Sequence, residues 1–405
     1  MKSEFIQKPV IFERNEAVCV FNPITLNWEF KREKCDSQII ERKISVSLPK
    51  AALDTLQVIV TTRCNLNCSY CSVRHLMDSQ EKCDLSDTDF NLIEKIINGM
   101  DNKKLLVLTG GEPLLCVPNL IRISKHFIGK KVIFTNGILL DAEIAIELAR
   151  NDIEIIVSLD GTSRESMRYR IGENEKLLEK IMSNLDRIAE IGMQFGLSMV
   201  VSDANISTLI SDIKALHRRY PGATFGVNLP HHSITGVNPD ITDGEFITLF
   251  LGLCDLSFNE NIYIDQIARK MRSLIKREFR FRDCSAQGQK VVYLPGGKIT
   301  NCINELNNCM DIWSSTTPIN SETCQRCYAV GVCGGGCIFD STYYMNESGF
   351  ERRHCKIIRE LLPSILWHLY DLEGLRANDR EYLSMKYTHL MDSTFNKNTR
   401  FSIGH

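Results

Sequence analysis

Three cysteines within eight residues, Cys64-x3-Cys68-x2-Cys71, are the first arrangement in the chain that could do chemistry. Three thiolates from one loop can ligate a zinc ion or an iron–sulfur cluster. A structural zinc requires a fourth ligand, for which His75 is the nearest candidate. A four-iron cluster held by three cysteines instead leaves one iron open to an outside ligand, as catalytic metal sites keep a position open. A second set comes far downstream: Cys284, Cys302, Cys309, Cys324, Cys327, Cys333, Cys337 and Cys355. Between positions 117 and 283 the only cysteine is Cys254. Cys19, Cys35, Cys83, Cys116 and Cys254 have no close partner in sequence and read as small, buried apolar residues. Two clusters separated by a nearly cysteine-free stretch imply two metal-bearing regions and one scaffold.

The chain as a whole narrows the chemistry. It has 405 residues, 16 of them cysteine, with Lys+Arg 48 against Asp+Glu 50. This length predicts two or three domains and a core that does not need cysteines to staple it. Hydrophobic residues at 43% and charged residues at 24% exclude global disorder. Without a basic excess, nucleic acid is not an expected partner. The start lacks an apolar core of signal-peptide length, and no apolar run is long enough to span a membrane. A cytoplasmic protein with reduced thiols and no membrane partner is therefore expected, and there clustered thiols bind metal more often than they form disulfides.

Periodicity identifies the elements that must position these thiols. Leu56–Thr62, Leu105–Thr109, Lys131–Thr135, Ile153–Ser158, Gln194–Val201 and Ala223–Leu229 read as strands. Asp87–Met100 reads as a helix, because Phe90, Leu92, Ile93, Ile96 and Ile97 share a face and Ser86 or Asp87 can cap it. Helices also fit at Glu175–Ile191 and Ile206–Tyr220. Strands alternating with helices predict a parallel sheet, and continuously apolar runs suit strands covered on both faces. Six units fall short of the eight in a closed barrel, so the expected fold class is α/β, a partial (β/α)6 barrel. Chemistry in such barrels sits at the C-terminal ends of strands. The candidate polar groups all fall there: the cysteine loop, Glu112, Asn136, Ser158, Asp160, and Asn228 with His231 and His232.

Outside the scaffold, Val10–Phe12, Val18–Phe21 and Leu26–Phe30 read as a small β segment. Phe246–Leu256 and Ile262–Ile275 read as bridging helices, and Ile357–Leu372 as an amphipathic helix. The expected organisation is a β-rich segment over 1–54, the barrel over 55–240, a helical bridge over 241–280, the second cysteine region over 281–360, and a helix and tail over 361–405.

Cys64-x3-Cys68-x2-Cys71, with aromatic Tyr70 before the last cysteine, resembles the signature of the radical SAM superfamily. Gly110-Gly111-Glu112-Pro113 matches that family's second motif, and Val157-Ser158-Leu159-Asp160-Gly161 resembles its ribose-contacting segment. The resemblance covers roughly residues 55–230. It implies that the open iron of a four-iron cluster binds the amino and carboxylate groups of S-adenosylmethionine (SAM). Glu112 and the Gly110-Gly111 backbone would receive the methionyl ammonium, Ser158 or Asp160 the ribose hydroxyls, and Arg170 the carboxylate. Tyr70 would lie beside the adenine, and Asn136 completes the set of cofactor-contacting candidates. Each residue also has a plainer reading: Glu112 as a helix cap, Asp160-Gly161 as a turn, Tyr70 as core packing.

The later cysteines read Cys284-x12-Gly297-x4-Cys302, then Cys324-x2-Cys327-x5-Cys333-x3-Cys337, and last Cys355. This resembles the SPASM extension of the same family, which carries two auxiliary four-iron clusters. By that resemblance Cys324, Cys327, Cys333 and Cys355 hold the outer cluster, and Cys284, Cys302 and Cys337 the inner one. Either Cys309 closes the inner site or one iron there is open. A zinc ribbon is the alternative reading of the same spacing. Gly334-Gly335-Gly336 would let the backbone wrap tightly round a cluster.

Proteins resembling this architecture mature ribosomally made peptides or sulfatases, or oxidise and epimerise small molecules. The sulfatase enzymes usually carry an aspartate just after the cysteine that corresponds to Cys302. Here Ile303 stands there, followed by Asn304 and Glu305. The N-terminal segment resembles the β-hairpin part of a leader-peptide-binding domain, though a segment that ends at position 54 is short for the full winged form. The resemblance therefore implies an oxidoreductase that crosslinks a precursor peptide through a thioether, carbon–carbon or carbon–oxygen bond. Such an enzyme draws electrons from an external one-electron reductant of flavodoxin or ferredoxin type. His231, His232 or Glu305 would accept the proton. Sulfatase-type oxidation and peptide epimerisation are the alternatives within the class, and a non-catalytic iron–sulfur electron carrier is the alternative outside it.

Overall fold

The computed structural model describes residues 2–32, 42–71, 73, 84–100, 102–231, 241–307, 309–342 and 347–391. His75, His232, Cys35 and Cys83 lie outside them. The described residues form two compact units. Those of 1–50, 242–284 and 315–394 make one, and those of 51–241 and 285–314 make the other.

In the first unit, β1 (Lys2–Gln7) pairs antiparallel with β5 (Arg42–Ser47). Strands β2 (Val10–Arg14), β3 (Ala17–Phe21) and β4 (Trp28–Lys31) form an antiparallel sheet in that order. The turn into β4 is built by Asn22, whose Oδ1 accepts from the backbone N–H of Ile24 and Thr25 at 3.0 and 2.9 Å. The Asn378 side chain then acts as a strand partner on β4. It accepts from Phe30 N at 2.7 Å and donates to Phe30 O at 3.1 Å. The small β segment expected from sequence is thus part of a larger unit. Its helices include Asp243–Asn259, which starts at a Thr242–Glu245 capping box, and Arg352–Glu373, which packs against it. Helix Asp265–Lys276 and the cysteine-bearing stretch 315–342 complete the unit.

The second unit is built on one sheet. Strands β6 (Thr55–Ile59), β7 (Leu105–Thr109), β8 (Lys130–Thr135), β9 (Ile153–Ser158), β10 (Gly196–Val200) and β11 (Thr224–Asn228) pair in parallel, each beside the next in sequence. All six match the expected strands to within a few residues. The intervening helices include Asp87–Gly99, capped by Ser86, and Glu175–Glu190 and Leu209–Arg219. The sheet does not stop at six. β12 (Lys290–Leu294) adds in parallel to β6, and β13 (Lys298–Thr300) adds antiparallel to β12. Residues 290–300, expected in the second cysteine region, therefore extend the barrel sheet. Their apolar side chains complete its core: Val292 and Leu294 pack with Ile59 on one face, and Tyr293 donates to buried Asp89 at 2.7 Å on the other. Among the described residues, no helix is long and apolar enough to cross a membrane.

Candidate functional site

The C-terminal end of β6 runs straight into the loop of Cys64, Cys68 and Cys71, all three half-buried thiols. The loop is closed by its own backbone and by a neighbour. Cys71 N donates to Cys68 O at 3.3 Å, Ser69 N donates to Tyr169 O at 2.9 Å, and the Cys68 thiol contacts Arg170 O at 3.7 Å. The three cysteines line a cavity of about 280 Å3 together with Tyr70, Gly110, Gly111, Asn136, Ser158, Arg170, Asn228 and His231. Burial, with Cys68 and Cys64 alongside, pushes the Cys71 thiol up to about 11. Burial likewise raises Cys64. Three thiols from one loop, with Cys64 and Cys71 held protonated by burial, are a donor set that a bound cation would deprotonate. Thiol-only donors suit zinc or iron–sulfur chemistry, and a three-member set beside a cavity suits a cluster with an open iron.

The glycine pair fixes the loop. Gly110 has φ +147°, and a side chain on Gly111 would place its Cβ 2.0 Å from Arg63 O. Gly111 N donates to Thr61 O at 2.8 Å and Glu112 N to Arg63 O at 2.7 Å. The segment therefore lies flat against the approach to Cys64, which only glycine permits. Glu112 is completely buried and is not among the cavity's lining residues. One carboxylate oxygen accepts from Leu114 N at 3.0 Å and Thr135 Oγ1 at 2.7 Å, and the other from Asn136 N at 2.8 Å. Burial raises its pKa, and these three donors offset part of that rise. Glu112 thus ties the end of β7 to the end of β8 and orients Asn136, whose Nδ2 donates to Asn65 in the cysteine loop at 2.7 Å. The capping role weighed in the sequence is present, at the start of a short 3-10 turn.

Asp160 differs most from what the sequence implies. Its carboxylate is buried and carries a two-pronged pair with Arg170, Nε to Oδ2 and Nη2 to Oδ1, both at 3.2 Å. Tyr70 donates its hydroxyl to Oδ2, and Val200 N donates to Oδ1 at 2.9 Å. Four donors fill the capacity of one carboxylate. Burial by itself would weaken the charge on Arg170, but Asp160 and Tyr70 outweigh it and push the guanidinium up. Burial also pushes the Tyr70 phenol well up, so it remains a donor. The aspartate is therefore the hub of a Tyr70–Asp160–Arg170 network that joins the cysteine loop to β9 and β10. Ser158, by contrast, faces the cavity. Spacing alone does not reveal the network, since the partners Tyr70, Arg170 and Val200 come from three separate stretches of the chain.

The candidate proton acceptors separate. His231 lines the cavity. Glu305 belongs to the turn after β13, where Oε1 accepts from both nitrogens of Asn307 at 2.9 Å. His232 lies outside the described residues.

In the same turn, Cys302 is buried and Cys309 N donates to Asn301 Oδ1 at 3.2 Å. Desolvation and the Glu305 charge raise the Cys309 thiol.

In the first unit, Cys324, Cys327, Cys333 and Cys355 come from the 315–342 stretch and the start of helix Arg352–Glu373. Cys324 interacts electrostatically with Cys327, and Cys333 with Cys355. Arg359 feels both Cys327 and Cys355. Gly334, Gly335 and Gly336 have φ of +72°, +92° and +74°. A Cβ on Gly334 would lie 2.6 Å from Asp283 N, and one on Gly336 2.7 Å from the His354 ring. The tight wrapping expected of these glycines is thus present round Cys333 and Cys337. Burial pushes the Cys333 thiol far up, and burial with Asp340 and Cys284 does the same to Cys337. Four thiols are the ligand number of a cluster held wholly by protein. The sequence reading missed Asp283 and His354, which immediately precede Cys284 and Cys355 and pack on this loop. That adjacency was the available signal.

Comparison with known proteins agrees with this geometry. Residues 58–216 match the family described as the Radical SAM superfamily. The radical SAM cyclopropyl synthase TigE of Paramaledivibacter caminithermalis is 24% identical over 328 residues, 71% of this chain and 68% of its own length. Other curated relatives are matched over 42–56% of their length. Among solved structures, native anSMEcpe with bound AdoMet superposes with a TM-score of 0.63 at 16% identity, over 80% of this chain and 99% of that one. Streptococcus suis SuiB bound to precursor peptide SuiA superposes with a TM-score of 0.54 at 16% identity, over 75% of this chain and 76% of SuiB. At this identity the superpositions establish a shared fold.

Proposed function

The chain carries a radical SAM domain over residues 58–216, and from that premise we propose that it oxidatively crosslinks a ribosomally made precursor peptide. The observation that carries the reading is the cavity where three thiols from one loop meet the C-terminal ends of β7 to β11. Cys64, Cys68 and Cys71 would hold the four-iron cluster. A cluster held there would supply one-electron reduction of bound SAM, the chemistry that gives methionine and a 5′-deoxyadenosyl radical.

The chain's own residues divide the remaining work. Gly110 and Gly111 hold the loop in register. Asn136 and Ser158 present amide and hydroxyl groups to the cavity, and the ribose contact falls to Ser158, since the Asp160 carboxylate is already filled. Asp160 keeps Arg170 charged and Tyr70 fixed. The barrel interior keeps bulk water from the radical. His231, on the cavity wall, is the favoured proton acceptor of the three candidates. Crosslinking removes two hydrogens from the peptide: one atom goes to the deoxyadenosyl radical, the other leaves as a proton and an electron. Cys324, Cys327, Cys333 and Cys355 would hold an auxiliary iron–sulfur cluster, which would supply the acceptor for that electron. A flavodoxin- or ferredoxin-type protein would supply the starting electron.

A peptide substrate is favoured by the precursor peptide bound to SuiB. Ile303, in place of the usual aspartate, weighs against sulfatase-type oxidation. The test is incubation of reduced, reconstituted protein and SAM with peptides encoded by small reading frames beside its gene. The expected product is lighter by two hydrogens, with 5′-deoxyadenosine formed alongside. An unchanged mass would contradict crosslinking, and a mass unchanged in ordinary water but one unit heavier in deuterated water, from uptake at one α-carbon, would indicate epimerisation.

A further inference from the structure

We propose that Lys270 tunes the auxiliary site of Cys324, Cys327, Cys333 and Cys355, raising its reduction potential so that it accepts the substrate's electron. The inference rests on the iron–sulfur reading of those cysteines. Lys270, on helix Asp265–Lys276, is only 6% exposed. Its Nζ donates to Cys333 O and to Asp283 Oδ1, both at 3.2 Å. A buried ammonium is costly unless it is matched, and a single carboxylate does not fully match this group. Asp283 Oδ1 also takes Arg280 Nε at 2.7 Å and lies 4.0 Å from Arg269 Nη1. Arg269 also pairs with Asp265 at 2.9 Å. Three cations against two carboxylates leave one positive charge in surplus.

That surplus lies directly beside Cys333, whose backbone carbonyl accepts from Lys270 Nζ. Neighbouring contacts hold the arrangement in place. Asp283 N donates to Gly334 O at 2.9 Å, and His354 Nε2 lies 3.2 Å from Cys333 O. A site ligated by four thiolates gains one unit of negative charge on reduction. A fixed cation in a weakly screening interior therefore stabilises the reduced form more than the oxidised one. The electron count balances: the substrate radical loses one electron and one proton as its new bond closes, and the site is reduced by that electron. The site is reoxidised by passing the electron to an oxidised flavin or iron–sulfur carrier.

The test is a redox titration of the reconstituted full-length protein, followed by electron paramagnetic resonance and paired with iron analysis. Lys270→Met should make one auxiliary midpoint more negative at unchanged iron content, and Lys270→Arg should restore it. Asp283→Asn should move the same midpoint the other way. Unmoved midpoints in fully loaded variants overturn the proposal. So does loss of about four irons in both Lys270→Met and Asp283→Asn, which would make the lysine a structural staple. An unaltered protein that holds only about four irons removes the auxiliary sites themselves, and with them the reading on which the proposal stands.

Discussion

The barrel's cysteine loop and the cysteine stretch of the other unit use the same ligand chemistry in opposite surroundings. In the barrel, three thiols come from a single short loop and face a cavity. Beside them, Asp160 and Arg170 pair with each other in the wall. In the other unit, four thiols come from positions spread between Cys324 and Cys355, three left-handed glycines follow directly on Cys333, and a buried cation donates to the Cys333 carbonyl. Three ligands on a cavity suit a site that must admit a molecule. Four ligands beside a cationic surplus suit one that exchanges only electrons. Ligand number and neighbouring charge, more than ligand type, separate the two.

Substitutions can break that contrast, in decreasing order of effect. Cys68→Ala should cut 5′-deoxyadenosine formation by at least about a thousandfold, read by chromatography after dithionite reduction. Cys333→Ala should leave SAM cleavage measurable while the crosslinked peptide disappears. Asp160→Ala strands Arg170 as a buried, unpaired charge and should cost about 3–5 kcal/mol in denaturant unfolding, whereas Asp160→Leu with Arg170→Met should recover most of it. Gly111→Ala and Gly336→Ala both force a Cβ into occupied space, each at a cost of about 1–3 kcal/mol. Iron analysis should separate them, with Gly111→Ala lowering loading of the barrel site and Gly336→Ala that of the auxiliary sites. Tyr70→Phe removes one of four donors to Asp160 and should lower stability by about 1 kcal/mol.

Much of this was readable from residue order. The six parallel strands announce themselves because each is a short apolar run with its own helix behind it, and the Ser86 cap is local. The cysteine spacings are local as well, and they carry the family resemblance. What stayed hidden depends on partners distant in the chain. Lys290–Leu294 falls inside the cysteine region by sequence, and nothing in its residues states that its neighbour is β6, at the far end of the barrel segment. Asp160-Gly161 has the composition of a turn, and the carboxylate's role becomes visible only when Arg170, Tyr70 and Val200 converge on it. The three donors to Glu112 include Thr135 and Asn136, on the neighbouring strand's end, so its burial was likewise not legible. Lys270 gives no sequence signal at all, because its partners are a carbonyl and a carboxylate brought to it by folding.

The most direct test of the account compares the unaltered protein with the Cys64→Ala/Cys68→Ala/Cys71→Ala variant after anaerobic reconstitution, measuring iron per chain and 5′-deoxyadenosine from SAM. The account predicts about 12 irons and steady 5′-deoxyadenosine formation for the first, and about 8 irons with none formed for the second. Equal 5′-deoxyadenosine formation from both proteins, or none from either, would contradict it.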